Sequence, residues 1–141
     1  MRIVLDTNVL VSGLLSPFGP PGEIVRLISS GSLTLCLDAR ILSEYGEVLA
    51  RPRFGFDQDA VAALLDYLSV ASDTMAAEPL PVRLPDRDDE PFLEVAIACG
   101  VDRLVTGNVA HFPVAARAGV EVVSPAQFMD WYRSRSATRE T

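Results

Sequence analysis

The stretch "IVLDTNVLVSG", residues 3–13, sets one carboxylate and two further polar side chains between two apolar runs. Arg2 to Leu5 reads as a short strand, apolar enough to be covered on both faces as parallel strands are. Asp6 then falls at the carboxyl end of a buried strand. Taken alone it has a plain explanation: a turn or N-cap aspartate opening the next helix, a role that Thr7 and Asn8 could also fill.

Outward from that stretch the pattern alternates. "SPFGPPG" (16–22) is a loop by its proline and glycine content, and residues 22–30 carry Ile24, Val25, Leu27 and Ile28 at helical spacing before Gly31. "LTLCL" (33–37) predicts a second buried strand, and Asp38 an N-cap for a helix to about Ala50. Another helix starts near Asp57, with Val61, Leu64, Leu65 and Leu68 on one face. Residues 72–85 are mixed and proline-punctuated and yield no clear element. "DRDDEPFLEVAIACG" (86–100) is an acidic turn feeding a helix that closes at Gly100. "DRLVT" (102–106) and "VEVVS" (120–124) predict two more strands. Ser124-Pro125-Ala126-Gln127 has the reciprocal capping pattern, so a last helix covers about 125–134, with a frayed tail over 132–141. Strands alternating with helices imply βαβ units, a parallel sheet and ligand sites beyond the strands' carboxyl ends.

Composition bounds the rest. A chain of 141 residues, 49% of them hydrophobic, predicts a single domain over residues 1–141 that needs no disulfide or metal staple. No apolar run approaches the roughly 20 residues that span a bilayer, so no membrane association is expected. The N-terminus enters an acid-containing strand within a few residues, without the pattern of a secretory leader. Cys36 and Cys99 both sit in apolar surroundings and read as core residues of a reducing compartment, which points to the cytoplasm. The net charge of -7 argues against a protein that coats polyanions. It leaves room for a nuclease, because a metal ion inverts the sign of an acidic site.

Further acids bear on chemistry. On the helix after Asp38, residues Ile41, Leu42, Tyr45, Val48 and Leu49 form one arc; Glu44 borders it and Glu47 faces away. Asp86, Asp88, Asp89 and Glu90 crowd one helix start. Helix N-termini favour acids, but four within five residues exceed what one cap requires. Beyond the strand at 102–105, Thr106, Gly107 and Asn108 occupy another carboxyl end, where Asn108 is equally a turn-former or a neutral oxygen donor. His111 is the only histidine, too few for a zinc site of the usual composition. An oxygen-rich, histidine-poor set suits Mg²⁺ or Mn²⁺.

"IVLDTNVLVSG", "ARILSEYGEVLARP" and "PDRDDEPFLEVAIACGVDRLVTGN" closely resemble a PIN domain, and more narrowly the VapC-like toxins of bacterial toxin–antitoxin systems. The likeness runs from residue 2 to about residue 130, with D-T-N-V and L-V-T-G-x its most diagnostic parts. It implies a three-layer α/β/α fold with a central parallel sheet, and a metal-dependent endoribonuclease acting on single-stranded or structured RNA. Position by position, Asp6, Glu44 and Asp89 match the acids that hold Mg²⁺ (or Mn²⁺), with Asn108 completing the catalytic set. Asp86 neighbours Asp89, and Asp88 substitutes for it if the register slips by one. Thr7, Asn8 and Thr106 support the ligands. Arg40, Arg51 and Arg53 are the candidates for contacts to the RNA backbone. A cognate antitoxin and a homodimer are expected partners. The family often has aspartate where this chain has Asn108, one negative charge fewer.

Two other readings compete. A phosphatase-like hydrolase would use Asp6 as nucleophile, but D-T-N lacks the second aspartate, and the chain has no lysine to hold phosphate. A catalytically weak PIN module working through RNA or protein binding is the alternative that Asn108 keeps open.

Overall fold

A computed structural model describes the backbone of residues 1–140 and the side chains of residues 1–135. Its strands are β1 (Arg2–Leu5), β2 (Thr34–Leu37), β3 (Asp73–Thr74), β4 (Arg103–Val105) and β5 (Val122–Val123). Its helices are α1 (Thr7–Leu15), α2 (Pro20–Ser29), α3 (Ala39–Leu49), α4 (Gln58–Ala71), α5 (Glu90–Cys99) and α6 (Pro125–Glu140). All strand pairs are parallel, in the order β3-β2-β1-β4-β5, and the helices flank the sheet in a three-layer α/β/α arrangement.

The strand order explains where a site can form. From β1 the chain moves to β2 and β3 on one side, then returns to lay β4 and β5 on the other. Loops leaving β1 and β4 therefore diverge at their carboxyl ends and open a crevice there. Asp6 and Thr106 are the residues immediately after those two strands. The layers are held by an apolar core in which Ile3, Val4 and Leu5 of β1 are fully buried with Leu93, Val95 and Ala96 of α5. Cys36 and Cys99 belong to that core as free thiols, as their apolar surroundings predict.

Local signals act as their chemistry dictates. Asp38 caps α3 by accepting from the Ile41 N–H (3.1 Å), and Asp57 caps α4 through the Asp59 N–H (3.1 Å). Ser124 and Gln127 close a reciprocal capping box: the Ser124 N–H donates to Gln127 Oε1 (2.9 Å), and the Gln127 N–H to Ser124 Oγ (3.1 Å). Helices α1 and α2 meet at Gly13, where an added Cβ would lie 2.6 Å from the Pro21 carbonyl oxygen. No larger residue fits that crossing without displacing backbone.

Several expectations shift. The proline-rich loop is shorter, because Pro20 and Pro21 begin α2 in the first turn, where a missing N–H costs nothing. The unassigned segment contains β3, whose two exposed residues pair with β2 and make a five-stranded sheet where four strands were predicted. Helix α6 extends past residue 134 to Glu140. Its outer part carries Arg133, which contacts Glu23 of α2, and Arg135, whose guanidinium lies over the Trp131 ring.

Candidate metal centre

Asp6 is almost wholly buried (4% exposed) and stands at the N-cap position of α1, yet its side chain makes no capping bond. Its backbone does that work: the carbonyl accepts from the Val9 N–H (3.0 Å), while its own N–H donates to Val105 on β4 (3.0 Å). The carboxylate instead accepts from the Thr106 hydroxyl (2.8 Å), and Thr106 Oγ1 in turn accepts from the Asn108 N–H (3.0 Å). A relay of two bonds thus fixes Asp6 from the end of β4. Capping of α1 does not account for the Thr106 bond.

Glu44 reaches the same place by another route. The buried Tyr45 hydroxyl donates to the Leu5 carbonyl (2.5 Å), pinning α3 to the end of β1. One residue earlier on the helix, Glu44 is half-buried and accepts a hydrogen bond from the Thr7 hydroxyl, while Glu47 is exposed, as the helical arc predicts.

The third contribution is the 3₁₀ turn Arg87–Asp89. Asp86 caps it by accepting from the Asp88 N–H (3.0 Å). Asp89 is buried, and Asp86 and Asp88 are exposed.

These elements enclose one cleft of about 500 Å³. Asp6, Thr7, Asn8, Glu44, Asp86, Asp88 and Asp89 all line it, and Arg51, Arg53 and Phe54 contribute to its wall. Acids far apart in sequence are therefore brought to a single face.

Their protonation records the crowding. Burial pushes the Asp6 carboxyl above the ordinary aspartate range, against the pull of Thr106 and the backbone amides of Asn8 and Thr7. Burial also raises Glu44, opposed by Thr7 and reinforced by Asp6 and Asp88. Asp89 is pushed up to about 6, chiefly by burial and then by the charges of Asp6 and Asp86. Oxygen donors that are partly desolvated and mutually repelling are a poor arrangement for a bare site and a good one for a hard divalent cation.

Other candidates are placed differently. Asn108 is exposed and tied in through its backbone, and its side chain does not line the cleft with the acids. Arg40 is committed elsewhere: its guanidinium pairs with Asp38 (2.7 Å) and the buried Glu94 (2.7 Å). It is a bracket between α3 and α5, not a free cation for RNA. Arg51 lines the cleft while paired with Glu47 (3.1 Å). Arg53 pairs with no carboxylate among the described residues and lies over the Phe54 ring (4.7 Å to its centre).

The acid excess has a partly structural cause that spacing did not reveal. Glu90 accepts from the Leu84 N–H (2.9 Å) and Arg83 (3.1 Å), and Glu94 from the Leu80 N–H (3.0 Å). Both staple the 80–84 segment onto α5. His111, set aside as a lone histidine, has its Nδ1 3.3 Å from Asp89 Oδ2. Among the described residues, Asp86, Asp89 and His111 form the group whose ligand atoms all lie within 4.8 Å of one another. Asp6 and Glu44 line the same cleft outside that tight group.

The PIN domain family profile matches residues 2–110 of this chain. The chain belongs to the PIN domain family. PIN domains are generally metal-dependent nucleases, and a cluster of acidic residues is present in this chain. An uncharacterized protein of Methanocaldococcus jannaschii is similar at 28% identity over 99 residues, a match covering 68% of this chain and 64% of that protein. The chain thus spans under two thirds of that relative's length. No helix among the described residues is long and apolar enough to cross a membrane.

Proposed function

We propose that this PIN domain is an endoribonuclease that uses Mg²⁺ or Mn²⁺ to hydrolyse phosphodiester bonds of RNA, single-stranded or locally structured. The observation that carries the reading is the convergence of Asp6, Glu44 and Asp89 on one cleft whose wall also holds Arg51, Arg53 and Phe54. Asp6, Glu44 and Asp89 would hold the cation, directly or through water. When bound, the ion supplies an activated water and offsets charge gathering on the phosphate. Thr106 and Thr7 keep the Asp6 and Glu44 carboxylates aimed through their hydroxyl bonds. Arg53, which pairs with no carboxylate among the described residues and lies over the Phe54 ring, offers a phosphate contact on the cleft wall.

The biological setting in this proposal is the cytoplasm, as the toxin of a toxin–antitoxin pair, acting as a homodimer neutralised by a cognate antitoxin. The support is the likeness of D-T-N-V and L-V-T-G-N to the VapC-like branch. A small neighbouring reading frame with a DNA-binding N-terminal region is the expected companion. The position of Asn108, uncharged and outside the cleft lining, favours a second reading: a weak PIN module that binds RNA or protein without cutting.

Metal-titrated cleavage of a single-stranded RNA pool separates the two. The wild type cuts only when Mg²⁺ or Mn²⁺ is present, and Asp6→Asn binds RNA without cutting. Equal binding by both proteins with no cleavage by either overturns the nuclease reading.

A further inference from the structure

The acids of the cleft are joined by one nitrogen donor. Asp86 caps the 3₁₀ turn Arg87–Asp89 and Asp89 ends it, and both line the cleft. His111 ends a second short turn, Val109–His111, whose start is held by the Asn108 N–H bond to Thr106. That turn is closed by the His111 N–H donating to the Asn108 carbonyl (2.9 Å). The same Thr106 hydroxyl fixes Asp6. The imidazole is thus delivered to the acidic rim by the element that orients the first acid, with one atom each of Asp86, Asp89 and His111 inside 4.8 Å. Ligands around one octahedral ion, at bonds of roughly 2.1 Å, lie about 3–4 Å apart.

We propose that His111 supplies a nitrogen ligand to the divalent cation, beside Asp86 and Asp89, and thereby tilts this site toward Mn²⁺ over Mg²⁺. The inference rests on the metal-dependent reading above and goes beyond it in naming a non-acidic ligand. Mg²⁺ favours an all-oxygen shell, whereas imidazole suits transition-metal ions, so one nitrogen changes selectivity more than overall affinity. Coordination through Nδ1, the atom facing Asp89, leaves the ring proton on Nε2.

The test uses the tag-free full chain loaded with Mn²⁺, because one histidine makes any imidazole signal unambiguous. Pulsed EPR of bound Mn²⁺ is expected to show ¹⁴N modulation from a coordinated imidazole. His111→Gln abolishes it, weakens Mn²⁺ binding roughly tenfold and changes Mg²⁺ binding less than twofold. His111→Asp puts an oxygen ligand in place of the nitrogen and strengthens Mg²⁺ binding relative to wild type without the nitrogen signal. Bound Mn²⁺ with no ¹⁴N modulation, in a protein that still cleaves RNA, overturns the His111 ligand and leaves the nuclease reading standing. Failure of the wild type to bind Mn²⁺ at all overturns both.

Discussion

Asp89→Asn is expected to stabilise the metal-free protein at neutral pH, and by less as the solution is acidified. The Asp89 carboxyl is pushed from its usual 3.8 to about 6 in the folded chain, so folding at pH 7.5 confines a charge that burial and its neighbours disfavour. A group raised in this way contributes stability that is fully present below about pH 3.8 and lost as pH rises through about 6. A shift of about two units corresponds to roughly 3 kcal/mol at ~1.4 kcal/mol per unit, a ceiling that solvent screening at a cleft reduces to about 1–2 kcal/mol. For a chain of this length that is roughly 3–6 °C in Tm. The assay is calorimetric melting of wild type and Asp89→Asn in EDTA between pH 7.5 and 4.5. The variant melts higher at pH 7.5, and the gap shrinks by more than half at pH 4.5. Excess Mn²⁺ reverses the order, because ligand binding to the native state stabilises only the protein that retains its site. A variant no more stable than wild type at pH 7.5, or a gap that does not narrow with acid, refutes the reasoning.

Two other substitutions separate scaffold from site. Arg40→Ala leaves Glu94 buried with the Leu80 amide and without its ion pair, so chemical denaturation should show a loss of about 1–3 kcal/mol. The KM for RNA at a temperature where the variant is folded should stay near wild type. Arg53→Ala should do the reverse: unchanged stability, a raised KM, and a salt dependence of RNA binding reduced by the equivalent of about one phosphate contact.

The parts of this fold that were legible in the sequence are those fixed by neighbours along the chain. The apolar run ending at Asp6 located the carboxyl end of β1, the arc around Tyr45 put Glu44 at a buried rim, and Ser124 with Gln127 marked the start of α6. Strand β3 was not legible, because two exposed residues carry no hydrophobic alternation and exist as a strand only by pairing with β2. Arg40 is a candidate RNA contact in the sequence because its partner Glu94 lies 54 residues away. Asp86, Asp88, Asp89 and Glu90 looked like one acidic cluster, yet Glu90 serves the 80–84 segment while the others face the cleft. His111 was dismissed by counting histidines for zinc, a count that says nothing about Asp89, 22 residues away and 3.3 Å distant. In each case the missing information was a contact across the fold, which periodicity does not encode.

The central claim is that carboxylates from three separate elements share one divalent cation. Crystals soaked in Mn²⁺ and measured at the manganese absorption edge address it directly. Anomalous density inside the cleft, within bonding or water-bridged reach of Asp6, Glu44 and Asp89, is the predicted result. Full occupancy at some other surface with an empty cleft would contradict it.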